Sequence, residues 1–223
     1  KNSKKICHYF DIPIQHISDK VLKRMNRKSD QISIKNVITK LRNEIPDVII
    51  RTTIIVGFPG ETKEDFEELY QFVKSAQFNK LGVFMYSKED NTPAEKLPEQ
   101  IHPSTKRSRH KKIMKLQQQI SKQCLKEKIG QTYVALIEGE SFDNRYYIGR
   151  TYMDVPDMDG VIFIKNPKLE ELSTKKTEKQ LETGQSEIIS KQHTKKISDQ
   201  ELIGSFVKCK IVDVVEYDLI GEI

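Results

Sequence analysis

Closely spaced cysteines are the main thing this chain lacks. Its three cysteines, Cys7, Cys124 and Cys209, stand far apart, which excludes both a disulfide framework and a metal loop of the Cys-x-x-Cys kind. They read as reduced thiols of a cytoplasmic protein, each a small buried hydrophobe. No apolar run approaches bilayer-spanning length, so no membrane partner is expected. Tryptophan is absent. In the C-terminal part the ring candidates are Tyr133, Tyr146, Tyr147 and Tyr152, too few to read as a stacking platform for unpaired bases, and this favours a protein partner. His8, His102, His110 and His193 have no paired spacing and read as packing or solvent-facing residues rather than metal ligands. His16 differs, because it ends a predicted strand on the ligand-facing side; a supporting hydrogen bond there is favoured over catalysis.

Acidic residues are almost missing from one stretch. Between Lys106 and Lys128 there are nine Lys or Arg and a single acid, Glu127. The formal charge of +6 is concentrated there, and the rest of the chain is slightly acidic. Lys106, Arg107, Arg109, Lys111, Lys112 and Lys115 either contact RNA phosphate, dock an acidic surface, or form an ordinary solvated face.

A length of 223 residues suits two modest domains. Residues 1–127 alternate strand and helix patterns. A strand over residues 6–14 ends in Gln15, His16 and Ser18. A helix capped at Ser18 or Asp19 follows, and a second runs from about Ser33 to Ile45 with Ile34, Val37, Ile38 and Leu41 on one face, stopping at Pro46. The apolar run ending at Val56 predicts a parallel strand buried on both faces. After it, Thr62 caps a helix with Asp65 three residues on, and residues 81–86 form another strand. Such alternation implies βαβ crossovers and a parallel sheet, here an arc of a barrel because three strands cannot close one. A linker runs from Asn91 to Pro103, and Ser104 is expected to cap a long basic helix with the apolar stripe Ile113, Leu116, Ile120 and Cys124. Residues 128–223 carry five short β-rich runs separated by turns, the pattern of a small antiparallel barrel. An insertion at about 165–204, rich in Lys, Glu, Gln, Ser and Thr, is expected to be a mobile loop or marginal helix. The chain opens at Lys1 without Met and in mid-pattern, as a fragment would.

Residues 50–62, Ile-Arg-Thr-Thr-Ile-Ile-Val-Gly-Phe-Pro-Gly-Glu-Thr, pass from strand through a Gly-x-x-Gly turn into a helix. Gly57 and Gly60 allow a tight turn and close approach of a flat or anionic ligand. A plain structural turn reads the same way. The carboxyl ends of the three strands, at Gln15 and His16, at Gly57 to Glu61, and at Tyr86 and Ser87, are expected on one rim, where parallel α/β sheets bind ligands.

Tyr9-Phe-Asp-Ile-Pro-Ile-Gln-His-Ile-Ser18, Arg51 to Thr62, Val83-Phe-Met-Tyr-Ser87 with Asn91-Thr-Pro-Ala94, Gly149-Arg-Thr-Tyr-Met-Asp154 and Glu216-Tyr-Asp-Leu-Ile-Gly-Glu222 together resemble the radical S-adenosylmethionine methylthiotransferases. The nearest branch modifies an aspartate of small-subunit ribosomal protein twelve. This resemblance implies an α/β fold: the second half of a partial (β/α) radical SAM barrel, followed by a small OB-like antiparallel β-barrel of the TRAM type. It places Gln15 at the ribose and amino-acid portion of S-adenosylmethionine, Ile55 and Gly57 along the adenine, and Tyr86 bordering it. Arg51 and Thr53 are candidates for the cofactor carboxylate, although Arg51 serves equally well in a structural ion pair.

The family also needs two four-iron clusters, whose cysteine loops this chain does not contain. The clusters are therefore expected to be held by residues outside it, with no catalysis by the chain alone. In the complete enzyme the resemblance implies reductive cleavage of S-adenosylmethionine, hydrogen abstraction from the aspartate β-carbon, and methylthio transfer to that carbon. A ribosomal-protein substrate is implied and a monomer is expected; ribosomal RNA is a further candidate partner on the reading in which the basic helix contacts phosphate. The alternatives are a transfer RNA adenosine methylthiotransferase and a non-catalytic RNA-binding module.

Overall fold

A computed structural model describes residues 3, 5–167 and 202–223. The expected insertion at 165–204 lies largely outside these residues, as does His193. The chain divides into two compact units, Lys1–Cys124 and Leu125–Ile223.

The first unit contains β1 (Tyr9–Asp11), α1 (Asp19–Arg24), α2 (Gln31–Glu44), β2 (Ile49–Val56), α3 (Lys63–Ala76) and β3 (Lys80–Met85). A 3-10 turn at Pro93–Lys96 leads to α4 (Pro103–Lys126). The three strands form a parallel sheet in the order β1-β2-β3. β1 is shorter than the expected 6–14, and Cys7 lies before it, exposed rather than buried on a strand. Pro13 has no N–H to give to the ladder. The chain rejoins the sheet for one further parallel bridge, Gln15 to Ile54.

β2 alternates between buried and half-buried residues instead of being buried on both faces. Ile50, Ile54 and Val56 join the core with Leu22, Ile34, Ile38, Phe66, Leu69, Ile113 and Ile120, whereas Arg51, Thr53 and Ile55 occupy the partly open face. Within this unit the helices supply one apolar layer, so the strand reads as period two.

The helix starts are fixed by side chains. Thr62 Oγ accepts from the Asp65 N–H at 3.1 Å and Asp65 Oδ2 accepts from the Thr62 N–H at 2.8 Å, a reciprocal capping box. α2 begins earlier than expected, because Asp30 forms such a box with Ser33. Val37 is 47% exposed, off the buried stripe of Ile34 and Ile38. α1 has Ser18 at its N-cap, yet the hydroxyl donates to Asp65 Oδ1 at 2.6 Å instead of capping. Ser104 lies inside α4 rather than at its cap, and its N–H is accepted by His102 Nδ1 at 3.3 Å. The α4 stripe Ile113, Leu116 and Ile120 is buried as expected, with Cys124 half-buried beside it.

The second unit is a closed barrel of β4 (Thr132–Glu140), β5 (Tyr146–Arg150), β6 (Ile162–Lys165), β8 (Asp218–Glu222) and β7 (Phe206–Val215), in that spatial order. Every pairing is antiparallel except β6 with β8, which is parallel. The barrel is thus mainly antiparallel as expected, and its one parallel seam follows from parity: a closed ring with an odd number of strands must contain a parallel neighbour pair. Ile137, Ile162, Ile164, Cys209 and Ile211 fill the interior with Tyr147, which is fully buried and so is removed from the exposed ring candidates. Among the described residues no helix is long and apolar enough to cross a membrane.

Candidate functional site

The three strand ends do converge. The Gln15 N–H donates to Thr53 O at 2.8 Å, the Ile55 N–H to Gln15 O at 2.8 Å, and the Tyr86 N–H to Val56 O at 2.9 Å. Gln15 has φ 68°, the left-handed region that a non-glycine residue seldom adopts. The open face of β2 sets Thr53 opposite Gly82 and Ile55 opposite Phe84, and Phe84 is 59% exposed. Gln15, Thr53, Ile55 and Tyr86 thus lie around one rim. Arg51 lies lower on the same face, where its Nη1 meets Asp11 Oδ2 at 2.8 Å across the β1–β2 register. This is the structural ion pair of the two readings open for it.

The turn after β2 depends on Gly57 and Gly60, with φ 75° and 80°. A side chain at Gly57 would strike the aliphatic stem of Lys106, and one at Gly60 would strike the Arg24 guanidinium. Arg24 in turn holds the linker, donating to Glu99 Oε2 at 2.9 Å and to Pro98 O at 3.2 Å. Both glycines therefore serve close packing as well as backbone conformation.

The centre of the turn is Glu61, which sequence reasoning did not single out. Its side chain is fully buried. Oε2 accepts from the N–H groups of Gly57 and Phe58, the latter at 3.1 Å. Arg109 Nη1 stands 3.3 Å from Oε1 and also donates to Glu61 O at 3.1 Å, while Arg109 Nη2 donates to Thr62 O at 3.2 Å. His16, also fully buried, accepts the Ser18 N–H on Nδ1 at 3.0 Å. Its proton then resides on Nε2, which points toward Glu61 Oε1 at 3.9 Å. The available signal was a carboxylate placed directly after Gly-x-x-Gly in an apolar setting, where burial demands partners.

Lys106 closes the site from α4. Its Nζ donates to Tyr86 O at 2.8 Å and lies 4.7 Å from the Tyr86 ring centre. Burial lowers its pKa from the ordinary 10.5. Tyr86 packs edge-on against Phe58 with ring centres 5.1 Å apart, and its hydroxyl is buried with no hydrogen-bond partner among the described residues. Three of the six singled-out cations, Lys106, Arg109 and Lys112, are thus engaged by the α/β unit; Lys112 pairs with Glu67 at 3.4 Å and sits 4.5 Å from the Tyr70 ring centre.

An aromatic nucleoside cofactor fits this rim in chemistry. Ile55 offers a half-buried apolar wall, Gly82 presents no side chain, and the Tyr86 hydroxyl lacks a partner among the described residues. An iron–sulfur cluster does not fit the thiols present. Cys7 precedes β1, Cys124 sits on α4, and Cys209 is buried in the barrel, where desolvation raises its pKa to about 11. Among the described residues no three His, Cys, Asp or Glu side chains stand together as a metal site.

Residues 1–73 match the radical SAM superfamily, and residues 129–223 match the TRAM domain. The chain is 57% identical over 219 residues to the ribosomal protein uS12 methylthiotransferase RimO of Alkaliphilus oremlandii, covering 98% of the chain and 43% of that protein. It is 42% identical over 221 residues to the RimO of Lachnoclostridium phytofermentans, and 42% identical over 223 residues to that of Trichlorobacter lovleyi. The chain thus spans less than half the length of the relatives it matches. A parallel α/β unit with its strand ends gathered on one rim, followed by a closed five-stranded barrel, agrees with both matches: a radical SAM fragment followed by a TRAM domain.

Proposed function

We propose that this chain is the cofactor-positioning and substrate-recognition part of an enzyme that transfers a methylthio group to the β-carbon of an aspartate in ribosomal protein uS12. The supporting observation is its identity to uS12 methylthiotransferases along nearly its full length, through both units. S-adenosylmethionine supplies the radical chemistry when bound, with the ligands of the two four-iron clusters outside this chain. Gln15 is assigned to the ribose and amino-acid portion, Thr53 to the carboxylate side with Arg51 below it in its ion pair with Asp11, Ile55 and Gly57 to the adenine, and Tyr86 to its border. Glu61 and Arg109 hold the loop on which Gly57 rides. The half-buried face then shields the reacting centre from water, which is the protein's share of such chemistry. The barrel contributes to holding the ribosomal protein.

The test is mass spectrometry of uS12 and of transfer RNA after reaction with the intact protein carrying both clusters. Addition of a methylthio group to the ribosomal protein alone is expected. A modified adenosine would replace this reading with that of a transfer RNA enzyme.

A further inference from the structure

Once the cations engaged by the α/β unit are set aside, a different surface remains on α4. Arg107, Lys111, Lys115 and Lys122 are all exposed, and among the described residues none forms an ion pair within 4 Å. Their steps of four, four and seven residues place them on one side of the helix, spaced about 6 Å apart at each step of four. α4 contains no acidic residue. It also exposes no large hydrophobic side chain. Lys112, three residues from Lys115, shows the contrast, being tied to Glu67.

We infer that this face of α4 binds the phosphate backbone of RNA. A protein-docking surface draws its affinity from apolar and aromatic anchors at its centre, and this face has none. A row of exposed like charges suits a polyanion, whose condensed counterions are released on binding. The surface goes beyond the methylthio-transfer reaction proposed above and would stand if that reading fell.

The experiment uses the full-length protein and a fluorescent RNA hairpin, with binding followed by anisotropy from 50 to 300 mM salt. Simultaneous replacement Arg107→Gln, Lys111→Gln, Lys115→Gln and Lys122→Gln is expected to weaken binding at least tenfold at about 0.1 M salt. It should also flatten the plot of log affinity against log salt by about 3, since each lost phosphate contact removes about 0.7–0.9. The control removes the same charge elsewhere, at exposed Lys23, Lys28, Lys35 and Lys74, and should change affinity less than threefold. Circular dichroism confirms that both variants are folded; if the first is not, the pair Lys111→Glu and Lys115→Glu replaces it, with the same loss of affinity expected and a slope change of about 1.5 for its two lost contacts. Equal losses in variant and control, retained affinity in the variant, or competition by polyglutamate as strong as by unlabelled RNA would each overturn the assignment, the last in favour of an acidic protein.

Discussion

Glu61 shows how one side chain holds a turn that the backbone alone would not keep. Its carboxylate answers two buried N–H groups and stands beside the Arg109 guanidinium. Glu61→Ala leaves both N–H groups without their acceptor and the Arg109 guanidinium without its counter-charge, and breaking one side of a buried pair costs about 3–5 kcal/mol. Glu61→Gln keeps an uncharged acceptor and should cost less. Urea denaturation of the intact protein checks both, and a loss below about 1 kcal/mol for the alanine variant would show that the turn stands without it. At this scale the sequence was partly legible. Gly57, Gln15 and Tyr86 could be placed at strand ends from the βαβ rhythm, and the structure sets them around one rim. Glu61 and Arg109 could not, because their pairing joins a turn to a helix 48 residues later, and periodicity carries no information about such contacts. Cys7 was misread for a related reason: β1 is too short to take it in.

Among the elements, α3 is anchored at its start by Asp65, which accepts from Ser18 Oγ, Thr62 Oγ and the Thr62 N–H. Burial pushes its pKa up, but these hydrogen bonds together with Lys20 outweigh burial and leave the carboxyl below its ordinary 3.8. A depressed carboxylate adds stability that is complete above the unfolded pKa and disappears as pH falls through the folded one. The stability gap between the native protein and Asp65→Asn should therefore be level above about pH 5 and narrow on acidification below about pH 4. Thermal melts of both proteins from pH 7 to pH 3 measure this, and a gap independent of pH would contradict it. The box at Thr62 was legible because Ser/Thr-x-x-Asp is a local signal. The cap of α4 was not, since His102 takes the role that composition assigned to Ser104.

For the whole molecule, the two units contrast in how they finish their sheets. The first leaves the outer edges of β1 and β3 without a neighbouring strand among the described residues, with Phe84 and Met85 exposed near the rim; the second has no edge because it closes. Produced separately, residues 125–223 should stay monomeric, whereas residues 1–124 should self-associate. Sedimentation at micromolar concentration decides, and a monodisperse first unit would refute this. The two compact units part at Leu125, near the shift in texture at Gly130, while the parallel seam was not legible, because strand order is not written in any local pattern. That seam governs assembly. The ring consists of a meander, β4-β5-β6, and a ribbon, β7-β8, fastened along β4–β7 and β6–β8, where Ile162 meets Leu219 across 57 positions of chain. Neither fastening is local, so each bears the entropy of drawing distant segments together, and that entropy is recovered only when both lock. Opening should be all-or-none: amides bonded across the two fastenings are expected to share one exchange free energy in deuterium, and two distinct values would mean that the ring unzips from one side.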